Sequence, residues 1–162
     1  MVGYVEKHAG TRHPDSQPVP QTDYDVTVLE VIKGNLKVGQ EIQITKDGGV
    51  SKDRSYVALF DENDFMPEVG RTYLFLVRVL SDGKTLSVTG PHSTVPLESS
   101  VAAELGRVKK PIGSDKQKAI SKILGKSKVF ARYVAAAENK DAAKGLPPWI
   151  RDRERVKSVY EK

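Results

Sequence analysis

YDVTVLEVIKGNLKVGQEIQITK, residues 24–46, is the stretch whose reading decides the fold. Val26 and Val28 alternate with Asp25 and Thr27, and the density of β-branched side chains predicts a long strand with one mostly buried face. Leu29 and Val31 fall on the opposite parity, so the second half of the strand either has both faces covered or carries a bulge near Leu29 and Glu30. Lys33-Gly34-Asn35 breaks the run and Gly39 supplies a second permissive backbone position. Ile42 and Ile44 then alternate with Glu41, Gln43 and Thr45. Two strands joined by a short connection follow, the opening of an antiparallel barrel or sandwich.

Outward from this pair, Val2 to Lys7 reads as a short edge strand. Residues 8–21, HAGTRHPDSQPVPQ, hold three prolines and a glycine and read as an exposed, partly extended loop. Downstream, Asp47-Gly48-Gly49 signals a turn and Tyr56 to Phe60 a short apolar strand. Asp61, Glu62, Asp64 and Glu68 form an acidic cluster read as a solvated loop, since the stretch lacks the full calcium-loop pattern. Thr72 to Leu80 is apolar on both parities and predicts a strand buried on both faces. Ser81-Asp82-Gly83-Lys84 turns it into a hairpin with Thr85 to Thr89, which Gly90-Pro91 ends.

After Leu97 the hydrophobic period changes from two to between three and four. Helices are expected over residues 98–108, from Ser114 or Asp115 to Leu124, and over Lys128 to Lys144. Leu146-Pro147-Pro148-Trp149 interrupts, and a charged helix resumes from Arg151 to Lys162. Helices this short are marginal alone and must dock on another surface. The expected fold is therefore mainly β: a five-stranded antiparallel OB-like barrel over residues 1–97, followed by a basic helical extension over residues 98–162.

Charge divides the chain at the same place. Residues 1–106 carry 10 Lys/Arg against 15 Asp/Glu, and residues 107–162 carry 16 against 6, which together make the net +5 of the 162 residues. A basic tail of this kind suits an anionic partner or the acidic barrel itself. No cysteine is present, which excludes disulfides and thiol chemistry. No apolar run approaches the ~18 residues of a membrane helix, so no transmembrane segment is expected. Met1 runs directly into Val2-Gly3-Tyr4 with no visible signal peptide. The expected location is extracellular or on a membrane-anchored surface if a leader has been removed.

The strand pair with its Lys33-Gly34 turn, Gly48-Gly49, the run Gly70-Arg71-Thr72-Tyr73-Leu74-Phe75-Leu76 and Ser81-Asp82-Gly83 together resemble bacterial surface or lipoprotein domains of the netrin and tissue-inhibitor-of-metalloproteinase type. The likeness covers about residues 22–97 and implies an OB-like barrel with a binding role. In the animal inhibitors an N-terminal cysteine reaches the protease zinc. This chain begins Met1-Val2 and has no cysteine, so metalloprotease inhibition does not carry over.

Sites are few. His8 and His13 match no common metal spacing, and proline-rich flanks do not preorganise ligands. Ser99 and Ser100 have no evident base, and Gly48-Gly49 is not followed by a phosphate-loop pattern. No catalytic residue, metal or cofactor is expected. The expected function is a noncatalytic protein-interaction or structural module of the bacterial cell envelope, with an unidentified protein partner and with the helices offering a surface for self-association. The partner-binding candidates are His8, Arg12, His13 and Pro18 of the loop and Lys109, Lys110, Lys116, Lys118, Lys122 and Lys126 of the tail. The alternative is single-stranded nucleic-acid binding through residues 107–132, which carry nine basic side chains against the single Asp115.

Overall fold

The computed structural model describes residues 1–108 and 113–138. Eight strands and three helices follow in order: β1 Val2–Arg12, β2 Gln21–Glu30, β3 Glu41–Val50, β4 Val57–Leu59, β5 Thr72–Phe75, β6 Arg78–Val79, β7 Leu86–Val88, β8 Thr94–Pro96, α1 Ser99–Arg107, α2 Ser114–Leu124 and α3 Lys128–Glu138. The strands form one sheet in the order β6-β7-β3-β2-β1-β5-β8, with β4 paired to β3, curled into a half-barrel. The region expected to be mainly β is so, and the helices follow it. The sheet is not a five-stranded antiparallel barrel, however. It has eight strands and is mixed, because β7 returns beside β3 in parallel, Ile44 opposite Leu86 and Lys46 opposite Val88.

The β2–β3 pair lies at the centre, in register from Gln21↔Asp47 to Thr27↔Glu41. The irregularity expected at Leu29 is present: Val2 pairs with Glu30 and Gly3 with Val28, so Leu29 is the extra residue of a bulge. Leu29 faces away from Val26 and Val28, and both faces are covered there. The strand ends at Glu30, so the connection to β3 is longer than expected, running from Val31 to Gln40.

Three expectations are corrected. β1 is an interior strand, paired with β2 on one side and β5 on the other, and it extends through Arg12. Its register shifts at Glu6 and Ala9 scramble the alternation that would have announced its length. Asp47-Gly48-Gly49 is strand, not turn. A Cβ on Gly49 would collide with the Thr22 hydroxyl and stand 2.9 Å from Thr11 Cγ2, at a φ of 144°. Glycine is therefore required by the close approach of β1 and β2 rather than by a reversal of the chain. The run from Thr72 divides into β5, buried on both faces, and the exposed β6.

The concave face holds Val5, Tyr24, Val26, Val28, Ile42, Ile44, Tyr73, Phe75 and Val88, with Leu36, Phe65 and Met66 from the loops packed on them. Lys46 points into this core and is fully buried. Its Nζ meets both oxygens of Asp64 at 2.8 and 3.0 Å. The acidic loop is thus only partly solvated, because Asp64 is drawn inside to neutralise the lysine. Burial pushes the Lys46 ammonium below its usual pKa and Asp64 pulls it back.

The convex face is covered by helices. Val101 and Leu105 of α1 and Ile120 and Leu124 of α2 pack on Val2, Leu29 and Leu74, with Ile123, Phe130 and Tyr133 at the margin. Ser127 caps α3, its Oγ accepting from the Phe130 N–H at 2.9 Å. Glu98 reaches across from the start of α1 to accept from Ser127 Oγ at 2.5 Å and from the N–H groups of Lys128 and Val129 at 2.8 and 3.0 Å.

Candidate functional site

Pairing of Arg12 with Gln21 and of Gln21 with Asp47 brings the β1–β2 loop and the β3–β4 turn to one end of the sheet. Between them lies a cleft of about 490 Å³. The loop contributes His13, Pro14, Asp15, Gln17, Pro18, Val19 and Pro20, and the turn contributes Ser51, Lys52, Asp53 and Tyr56.

Both walls are braced by the local chemistry. Pro20 C=O accepts from the Gly48 N–H at 2.6 Å, and Gly48 C=O accepts from the Thr22 hydroxyl at 2.7 Å. His13 Nε2 lies 2.8 Å from the Val50 carbonyl oxygen. A carbonyl can only accept, so His13 carries its proton on Nε2. Lys52 faces Asp15 across the cleft at 3.7 Å. In the turn, the Asp53 carboxylate accepts from the hydroxyls of Ser51 and Ser55 at 2.6 and 2.7 Å. Those two bonds, with the Ser55 N–H, hold its pKa down to about 2. Three prolines fix φ along the loop, so little backbone freedom is left to lose when a ligand binds.

The predicted site residues separate. His13 and Pro18 line the cleft. His8 and Arg12 belong to β1 rather than to a loop. His8 lies edge-on to Tyr24, with its Nε2 3.1 Å from the Thr11 hydroxyl. Arg12 is held by a bidentate pair with Asp23, both bonds 2.9 Å, and the hydrogen bond to Asp23 raises its pKa further. Lys116, Lys118 and Lys122 are exposed on α2, with Lys118 and Lys122 on the side opposite Ile120 and Leu124. Lys126 pairs with Glu104 at 2.8 Å. Lys109 and Lys110 fall outside the described residues.

Among the described residues, the loop and the helices of the tail are not brought together. The helices sit on the Val2–Leu29 end of the β1–β2 ladder and the cleft lies at the Arg12–Gln21 end. At ~3.3 Å per residue, the length of β1 puts these ends roughly 30 Å apart.

Sequence reasoning missed Ser51, Lys52, Asp53 and Tyr56 as site residues. Reading Gly48-Gly49 as a turn ended β3 at Lys46, and so hid the hairpin that carries the second wall out beside Pro20. Among the described residues no group of three or more His, Cys, Asp or Glu side chains is arranged to hold a metal ion. No helix of the described residues is long and apolar enough to cross a membrane. No protein-family model, curated protein or solved structure matches this chain.

Proposed function

We propose that this chain is a noncatalytic protein-interaction module of the bacterial cell envelope or surface, and that it receives an extended segment of a partner protein in the cleft between residues 13–20 and 51–56. The observation that carries this reading is the cleft itself. It has a preformed proline wall facing an exposed tyrosine, on loops tied by hydrogen bonds to a rigid sheet. A concave surface that sets prolines and a tyrosine among placed polar groups suits an extended peptide. The envelope placement is supported by the likeness of residues 22–97 to netrin-type domains, whose role is binding.

Selection of peptides from a random display library tests the proposal. Peptides enriched on the intact chain should lose at least roughly tenfold in affinity on Tyr56→Ala and on Pro18→Gly, changes that remove one wall each. Enrichment that ignores both substitutions would place binding elsewhere.

A second reading keeps one observation in its favour. Lys118 and Lys122 stand four residues apart on the exposed side of α2. If they grip phosphates, a labelled single strand should bind with an affinity that falls steeply with salt, each phosphate contact adding about 0.7 to the slope. The protein-binding reading expects weak and nearly featureless binding in the same titration.

A further inference from the structure

A sheet that does not close leaves edges, and the described edges differ in how they are protected. β6 carries Arg78 and β8 ends in Pro96, both devices that discourage another strand from pairing. Among the described residues β4 pairs with β3 alone. Its segment Tyr56-Val57-Ala58-Leu59-Phe60 has no charge and no proline. Tyr56, Val57 and Phe60 are 63, 55 and 52% exposed, and Leu59 and Val50 are exposed beside them. Five consecutive apolar residues on an open edge are a liability unless something covers them.

The hydrogen-bond phase of the hairpin shows which backbone groups that edge presents. Ser51 N–H donates to Tyr56 C=O, so Ser51 and Tyr56 form a hydrogen-bonded pair. The alternation of an antiparallel ladder then makes Gly49–Ala58 the next such pair and leaves Val50–Val57 and Gly48–Leu59 as the non-bonded ones. The Gly48 N–H agrees, since it turns away from β4 to Pro20. Val57 and Leu59 therefore direct N–H and C=O outward, along the edge where a further strand would lie.

The side chains identify that strand. Laid antiparallel against itself about Ala58, the segment sets Val57 opposite Leu59 and Tyr56 opposite Phe60. Aliphatic meets aliphatic and aromatic meets aromatic, with the small residue on the axis. The flanks are complementary in charge as well. Arg54 precedes the segment while Asp61 and Glu62 follow it, so a twofold axis brings the cationic end of one copy to the acidic end of the other. We propose that the free edge of β4 pairs with the same edge of a second copy of this chain, giving a twofold dimer through a continuous sheet.

This pairing is independent of the cleft's ligand, although Tyr56 borders both. A five-residue ladder is a small interface, of the class below about 1,200 Å² that holds weak pairs, so it is read from a concentration series. Sedimentation velocity on the full chain should show the average mass climbing from one chain toward two between low and high micromolar concentration. Val57→Lys, at an exposed position, should hold the protein at one chain with an unchanged circular dichroism spectrum. Arg54→Glu should weaken association roughly tenfold by setting like charges together, and the double change Arg54→Glu with Glu62→Arg should restore it. A chain that stays single throughout the series, or a dimer that Val57→Lys leaves intact, would overturn the proposal.

Discussion

Inside the half-barrel, Lys46 and Asp64 meet with essentially no access to water. Outside it, Val101, Leu105, Ile120 and Leu124 press on Val2, Leu29 and Leu74, and charge is confined to the rim, at Glu98 and at the Glu104–Lys126 pair. The concave face is closed by a loop that adds a buried ion pair to the packing of Phe65 and Met66; the convex face is closed by helices held through burial. Burial is non-directional and additive over side chains, whereas a buried pair fixes a single geometry and is costly when broken. The helices should therefore govern how stable the fold is, and Lys46–Asp64 should govern where residues 61–66 lie.

The largest effect should come from removing the outer layer. Val101, Leu105, Ile120 and Leu124 are 3% exposed or less, and each contributes about 1.5–3 kcal/mol of burial. Their sum is comparable to the roughly 5–15 kcal/mol that holds an ordinary domain together. Truncation after Leu97 should abolish cooperative thermal unfolding and expose apolar surface to a dye such as ANS. A truncated chain that melts like the full one would mean that the helices are appended to a sheet that needs no cover.

A smaller loss is expected inside. Asp64→Ala leaves the Lys46 ammonium buried without a partner and should cost about 3–5 kcal/mol in denaturant unfolding. Replacing the pair together, Lys46→Met with Asp64→Leu, should recover most of that loss, because the desolvation of two charges disappears with them. If the double change is as damaging as the single one, the pair contributes attraction beyond its desolvation cost and the contrast between the faces is weaker than drawn.

This contrast also explains what the sequence could announce. The helices were legible because Ile120, Ile123 and Leu124, or Phe130 and Tyr133, recur at helical spacing and meet the sheet through that one face. β2 was legible for the same reason at period two, and its bulge at Leu29 because one residue changed parity. β1 past Lys7 was not, since its shifts at Glu6 and Ala9 erase the alternation. Nor could Asp64 be recognised as buried: it lies in DENDFMPE, an acidic string, and only the lysine arriving from β3 distinguishes it from Asp61. The parallel return of β7 leaves no local trace, because register between distant strands is written in neither one. At the cleft, Pro18 and His13 could be found from composition, while Tyr56 and Asp53 depended on knowing that Gly49 must let Thr22 pass.

The smallest effect sharpens the comparison at the rim, where the helical layer uses charge after all. Glu98 loses solvation beside α3, which by itself raises its pKa. The hydrogen bonds from Ser127 and from the N–H groups of Val129 and Lys128 outweigh that, and the carboxyl sits below its ordinary 4.5. A folded-state pKa below the unfolded one means that ionised Glu98 stabilises the native chain fully above about pH 4.5 and that this contribution fades as the pH falls through the lower folded value. Acidification in that window should therefore release the N-terminus of α3 before it disturbs the sheet. Amide exchange at Lys128 and Val129, compared by mass spectrometry after correction for intrinsic rates, should speed up below pH 4.5 while exchange in β2 does not. Glu98→Gln should bring α3 to the fast-exchanging state already at neutral pH, with only a slight change in melting temperature because Ile120 and Leu124 stay buried. Equal loss of protection in β2 would mean that α3 and the sheet open as one unit, and that the rim charge is part of the core's cooperativity rather than a separate clasp.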